Sequence, residues 1–145
     1  MDIEERIETL LGTEAWLIDI LPKTVPGNAG GRYFAVAEML RRGRAEIDRR
    51  FLSFVLKLYC YTDVILCARS LTCDDPEPEE LAEVLTRCFE TEDYAHILLP
   101  EHDAMLSVMD GGDLYLVLYH PDDELKELAA ALAGAEGFFF YPAPL

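Results

Sequence analysis

Positive charge is what this chain has least of. It carries 12 lysines and arginines against 28 acidic residues, for a formal net charge of -16 over 145 residues. A field of that sign repels phosphate backbones and anionic headgroups, so neither nucleic acid nor membrane is an expected partner. Long apolar runs are missing too. The most apolar stretch, residues 51–61, is about half of the roughly 20 residues that a spanning helix needs, and Lys57 interrupts it. The opening MDIEERIETLLG places acids where a secretory signal carries a basic region before its apolar core, which points to the cytoplasm.

Cysteine is sparse, and the four present, at 60, 67, 73 and 88, form no CxxC pair. Zinc and dithiol redox motifs are therefore unsupported. Cys60, Cys67 and Cys88 lie within apolar runs and read as buried reduced thiols, whereas Cys73, in SLTCDDPEPEE, reads as the exposed one. Recognised catalytic spacings are absent as well. The glycine-rich KTVPGNAGGR lacks the Walker and dinucleotide patterns, and no nucleophile elbow or Ser-His-Asp arrangement is visible. No cofactor is implied. His96 and His102, with Glu101 and Asp103 beside them, contain metal-ligand chemistry but not a helical metal-pair spacing, so they read as ordinary connector residues.

What is present is apolar residue, 51% of the chain, with 28% charged, the balance of one globular domain spanning residues 1–145. Its centre is AMLSVMDGGDLYLVLYH. Two apolar runs, residues 105–109 and 114–119, flank Gly111-Gly112, a pair able to take the positive φ that tight hairpin turns require. Around this hairpin lie a strand in TDVILCARS, a helix over 78–89, a short edge strand at 95–99 stopped by Pro100, a helix over 122–133 and a last strand in FFFYP. His120 reads as a cap of the second helix and Gly134 as its left-handed end. The order suggests an α+β fold: a ferredoxin-like, split βαβ antiparallel sheet over residues 63–141.

The N-terminal part reads as a helix-hairpin-helix extension. A helix spans 3–11, capped by Asp2 and ended by Gly12. WLIDILP is a strand. RYFAVAEML fits either a strand pairing with it or a helix breaking at Gly43, with Tyr33, Phe34 and Val36 tipping the balance to strand. The arginines of RRGRAEIDRR are expected to pair with neighbouring carboxylates. Residues 47–61 have helical spacing with two apolar stripes, so that helix should be buried on more than one side.

Apolar residues fall on both faces of the expected sheet. In the hairpin one face would carry Met105, Met109, Leu114, Leu116 and Leu118, and the other Leu106, Val108, Tyr115, Val117 and Tyr119. The C-terminal helices can cover only one face. The second requires a cover, since a bare one would exceed the patch a soluble monomer shows. The N-terminal segment, above all helix 47–61, is the expected cover, with a second copy of the chain as an addition.

These features favour a non-catalytic binding or regulatory module that acts through a protein partner or through self-association as a homodimer. The other reading is a small-ligand binder or enzyme with a pocket between the N-terminal segment and the sheet. Asp19 and Glu38 would share a face of the N-terminal hairpin there, with Tyr115 and Tyr119, and Tyr141 beside them.

Overall fold

The computed structural model describes residues 2–69, 71–91, 93–108 and 114–144. Asp2 opens the first helix, α1 (Ile3–Leu11), by accepting the Glu5 N–H at 2.8 Å, and Gly12 closes it. Strand β1 (Ala15–Asp19) follows. A 3-10 turn (Gly27–Ala29) leads into α2 (Gly30–Arg42), which Gly43 separates from α3 (Arg44–Tyr59). Then come β2 (Ile65–Ala68), β3 (Leu71–Asp74), α4 (Pro78–Thr91), β4 (Ala95–Leu99) and β5 (Ala104–Val108). Strand β6 (Tyr115–Tyr119), α5 (Asp123–Ala135) and β7 (Phe139–Pro142) complete the chain. The turn expected at Gly111-Gly112, and Met109 with it, lies outside the described residues.

The fold is α+β, built on one open seven-stranded sheet in the order β3-β2-β4-β5-β6-β1-β7, with every neighbouring pair antiparallel. This corrects the expected ferredoxin-like order. In that arrangement the strand of TDVILCARS would lie between those of YLVLY and FFFYP, but here β1 takes that place and β2 pairs instead with β3 and β4. Nor is the N-terminal part a helix-hairpin-helix extension. Strand β1 inserts between β6 and β7, pairing Leu17 with Val117 on one side and with Tyr141 on the other. Residues 33–40 form the middle of α2 rather than a partner for β1. Val36 is the only β-branched residue between Gly30 and Arg42, and the Ala, Glu, Met, Leu and Arg around it favour helix. Strand β4 is interior rather than an edge, and four of its five residues are buried.

One sheet face carries Ile18, Leu66, Ile97, Leu106, Leu116 and Leu118 into the main core, against α3, α4 and α5. Helix α3 buries Ile47, Phe51, Phe54, Val55 and Leu58. Its second stripe, Leu52, Leu56 and Tyr59, packs half-buried on the same core, because α3 lies between α4 and α5. It therefore does not cross to the second face, as its two stripes suggested. Phe51 stacks on Phe138, with ring centroids 4.3 Å apart and planes at 12°. Phe138 is set there by the turn after α5. Its N–H reaches back to the Ala133 carbonyl at 2.8 Å, and Gly137 (φ 83°), not Gly134, supplies the left-handed residue. Asp122, not His120, caps α5, accepting the Leu125 N–H at 2.8 Å.

The second face is covered by α1 and α2. Leu10 of α1 joins Cys67, Leu98 and Met105 in a smaller cluster, with Ile3, Ile7 and Tyr119 around it. The register Met105↔Tyr119 and Leu106↔Leu118 corrects the expected hairpin faces: Met105 lies with Val117 and Tyr119, and Leu106 with Leu116 and Leu118. Ion pairs tie down the arginine-rich segment, with Arg42 to Glu38, Arg44 to Asp48, and Arg49 and Arg50 both to Glu46. Cys67 and Cys88 are buried, but Cys60, at the end of α3, is exposed, and Cys73 is half-buried with its thiol donating to Glu80 at 3.2 Å.

Replacing Phe51 by Ala removes the ring on which Phe138 and Phe89 stack and should cost about 3–5 kcal/mol in urea-induced unfolding. Phe34→Ala, at a site 69% exposed, should change stability by no more than about 0.5 kcal/mol. Equal losses at the two positions would contradict the placement of the core.

Candidate functional site

Between α2 and the second sheet face lies a cleft of about 670 Å³, within the range that small-molecule sites occupy. Its floor follows from strand register. On β1, Ala15, Leu17 and Asp19 point to this face, and they pair with Tyr119, Val117 and Tyr115 of β6. Tyr141 of β7 stands opposite Leu17. Helix α2 forms the roof with Tyr33, Phe34, Ala37 and Leu40, and the segment from Leu21 to Gly27 closes one side. Only Ala37 of α2 is fully buried. The helix thus rests over a space rather than on a packed surface, and it leaves Phe34, Val36 and Met39 between 51% and 69% exposed.

Of the side chains expected to form a site, the cleft brings together Asp19, Tyr115 and Tyr119, with Tyr141 beside them. Glu38 is not among them. It lies on exposed α2 surface and pairs with Arg42 at 3.9 Å, because a helix, unlike the expected strand, carries it away from Asp19. Asp19 is half-buried and held at both oxygens: the Leu21 N–H donates to one at 3.2 Å and the Tyr141 hydroxyl to the other. Burial, reinforced by Asp19, drives the Tyr141 phenol well above the ordinary tyrosine range, and burial also raises Tyr119. Both therefore remain neutral hydrogen-bonding phenols across the physiological range. The cations lining the cleft, Lys23 and Arg41, are exposed.

The second face also holds a pair that the sequence did not announce. His96 of β4 and Ser107 of β5 stand opposite each other, with Nδ1 and Oγ 2.8 Å apart. A serine beside a histidine is the geometry of an activated nucleophile, but Ser107 is completely buried and no substrate reaches it. Burial lowers the His96 pKa, so the ring stays neutral and the pair satisfies buried polar atoms. His102 goes elsewhere, to Asp122 at 2.9 Å, and His120 contacts the Asp103 carbonyl at 2.8 Å. Among the described residues, no three His, Cys, Asp or Glu side chains gather as metal ligands, and no helix is long and apolar enough to cross a membrane.

A lone serine in AMLSVMDGG gives no sign of His96, eleven residues away. Strand pairing alone joins them. The cleft tyrosines were visible through their period-two spacing on YLVLY. Tyr33, Phe34 and Arg41 were hidden as site residues by the strand reading of their segment.

Comparison with protein-family models, curated proteins and solved structures yields no match.

The phenol shifts carry a pH signature. Tyr59, hydrogen-bonded to Asp75 and the Pro76 carbonyl, is pushed up to about 12, by burial first and Asp75 second. In the unfolded chain all seven tyrosines ionise near 10. Above that pH the unfolded state loses protons that Tyr59, Tyr119 and Tyr141 still hold in the native state, so stability falls as pH rises from about 10. Ultraviolet titration should show part of the tyrosine absorbance change arriving late and together with unfolding. Full ionisation near pH 10 with circular dichroism unchanged would contradict the assignment.

Proposed function

We propose that this chain is a non-catalytic binding protein of the cytoplasm whose ligand seats in the cleft between α2 and the β6–β1–β7 floor. The observation that carries the reading is the roof. A 13-residue helix with one buried side chain spans a ligand-sized space, while on the same face Leu10 of α1 packs directly with Cys67, Leu98 and Met105. Apolar walls with a few convergent polar groups are the usual make-up of a binding site. The polar groups here are suited to holding a ligand more than to transforming one. The phenols are kept neutral, and Asp19 already accepts two hydrogen bonds from the protein.

A second reading, contact with a protein partner or with another copy of this chain, is favoured by the outward side of the same helix. Met39 is 67% exposed and stands clear of the cleft lining. That reading would use α2 from outside, and the net charge of -16 works against two copies approaching each other.

The test is binding of Nile red, a neutral apolar dye, read by fluorescence. The unaltered chain should bind it, and Leu17→Glu, which puts a charge on the floor, should weaken binding by about tenfold or more. Met39→Ser should leave binding unchanged. Dye binding lost in Met39→Ser but kept in Leu17→Glu would place the surface on the outer side of α2, and absence of binding altogether would remove the cleft reading.

A further inference from the structure

Resting on the cleft reading above, we propose that the ligand is an amphipathic organic amine, its ammonium group at Asp19 among the tyrosines and its apolar body along Leu17 and Val117.

Asp19 is the cleft's only carboxylate among the described residues. It is half-buried, and no lysine, arginine or histidine among the described residues makes an ion pair with it. Its partners are the Tyr141 hydroxyl and the Leu21 N–H, two donors for a group with about four acceptor positions. Among the described residues the negative charge thus has no cationic partner within ion-pair distance, with acceptor capacity to spare, on the floor of a largely apolar space. A donor carrying positive charge is the complement such a group selects.

The surroundings of Asp19 point the same way. Tyr115 faces it directly across the β1–β6 pairing, and Tyr141 is hydrogen-bonded to it. Tyr33 of the roof lies close enough to Tyr141 to affect its ionisation, and packs edge-on against Phe34 at 5.6 Å. Aromatic faces around a carboxylate attract an ammonium group through the ring quadrupole, by about 0.5–2 kcal/mol per contact. At longer range the net charge of -16 draws cations toward the molecule and holds anions off.

The rival is an anionic ligand, because Lys23 and Arg41 also line the cleft. Both are exposed, so water and salt screen their charge, whereas Asp19 sits where screening is weaker. They also come from separate elements, the segment after β1 and the last turn of α2, eighteen residues apart in sequence.

One carbon skeleton with three head groups tests this on the full chain: 3-phenylpropylamine, 3-phenylpropan-1-ol and 3-phenylpropanoate, by isothermal titration calorimetry at neutral pH. The amine should bind about tenfold more tightly than the alcohol, and the acid most weakly. Added salt should weaken the amine and leave the alcohol unchanged. Asp19→Asn should abolish the preference for the amine while the alcohol still binds. Should that variant fail to fold, the head-group ranking and its salt dependence on the unaltered chain decide the matter alone. Alcohol binding as tight as amine, or the acid tightest of the three, overturns the amine while leaving an apolar cleft in place. No binding by any of them, with Nile red still bound, overturns the amine equally. No binding of dye or probes defeats the cleft reading itself.

Discussion

Everything in this molecule depends on where β1 goes. Five residues, Ala15 to Asp19, slide between β6 and β7 and hydrogen-bond to both. Without that strand, β7 would have no partner and the sheet would end at β6. With it, the N-terminal segment is stitched into a sheet otherwise built from residues 65–142. Ile18 then reaches the main core at no exposure, while Leu17 and Asp19 turn to the opposite face. A single alternation of side chains thus supplies both a core residue and the floor of the cleft.

That insertion also determines how the second face is covered. The sheet is apolar front and back, and the two covers differ in kind. Helix α3, with α4 and α5, closes the first face as a dense layer in which Phe51, Phe54 and Leu58 are buried almost completely. On the second face α1 packs Leu10 directly on Met105 and Leu98. Helix α2 instead spans a gap. Close packing in one half of the layer and a void in the other is an uneven use of one apolar surface. The void lies where β1 has placed Asp19 and where the tyrosines of β6 and β7 stand. Two sets of polar groups on the second face differ in kind. Buried Ser107 is satisfied by half-buried His96, whereas Asp19 and its tyrosines open onto the cleft.

Local signals carried a large part of this architecture. Asp2 and Gly12 delimit α1 at the residues where capping chemistry puts them, and Pro78 opens α4. The period-two run of YLVLY is a strand over those five residues. The antiparallel pairing of β5 with β6 was legible too, but the rest of the pairing and the register were not. Strand order is not written in any one segment, because an apolar strand fits beside any other, and the choice of β1 over β2 as partner for β7 is made by the whole layer. The two stripes of α3 were legible, but they serve flanking helices as readily as a second sheet face. The register of the hairpin went wrong for a similar reason. With apolar residues on both sides, neither alternative exposes a polar mistake.

The reading of residues 33–40 as a strand failed for a more instructive reason. A helix seated on a core announces itself through a regular apolar stripe, and α3 and α4 have one. Helix α2 does not, because its inner surface meets a space: Tyr33, Phe34 and Ala37 face the cleft, and Arg41 lines it too. Their mix of aromatic, small and charged character follows no packing rule. Leu40 packs half-buried at the edge of the main core, and the outer side chains meet water, including the apolar Met39. The mixed pattern that hid the helix fits the open space beneath it. Selection for close packing writes a readable period into sequence, and a wall kept away from the opposite wall is released from it. An illegible segment within an otherwise legible chain was, in this protein, the imprint of the cavity.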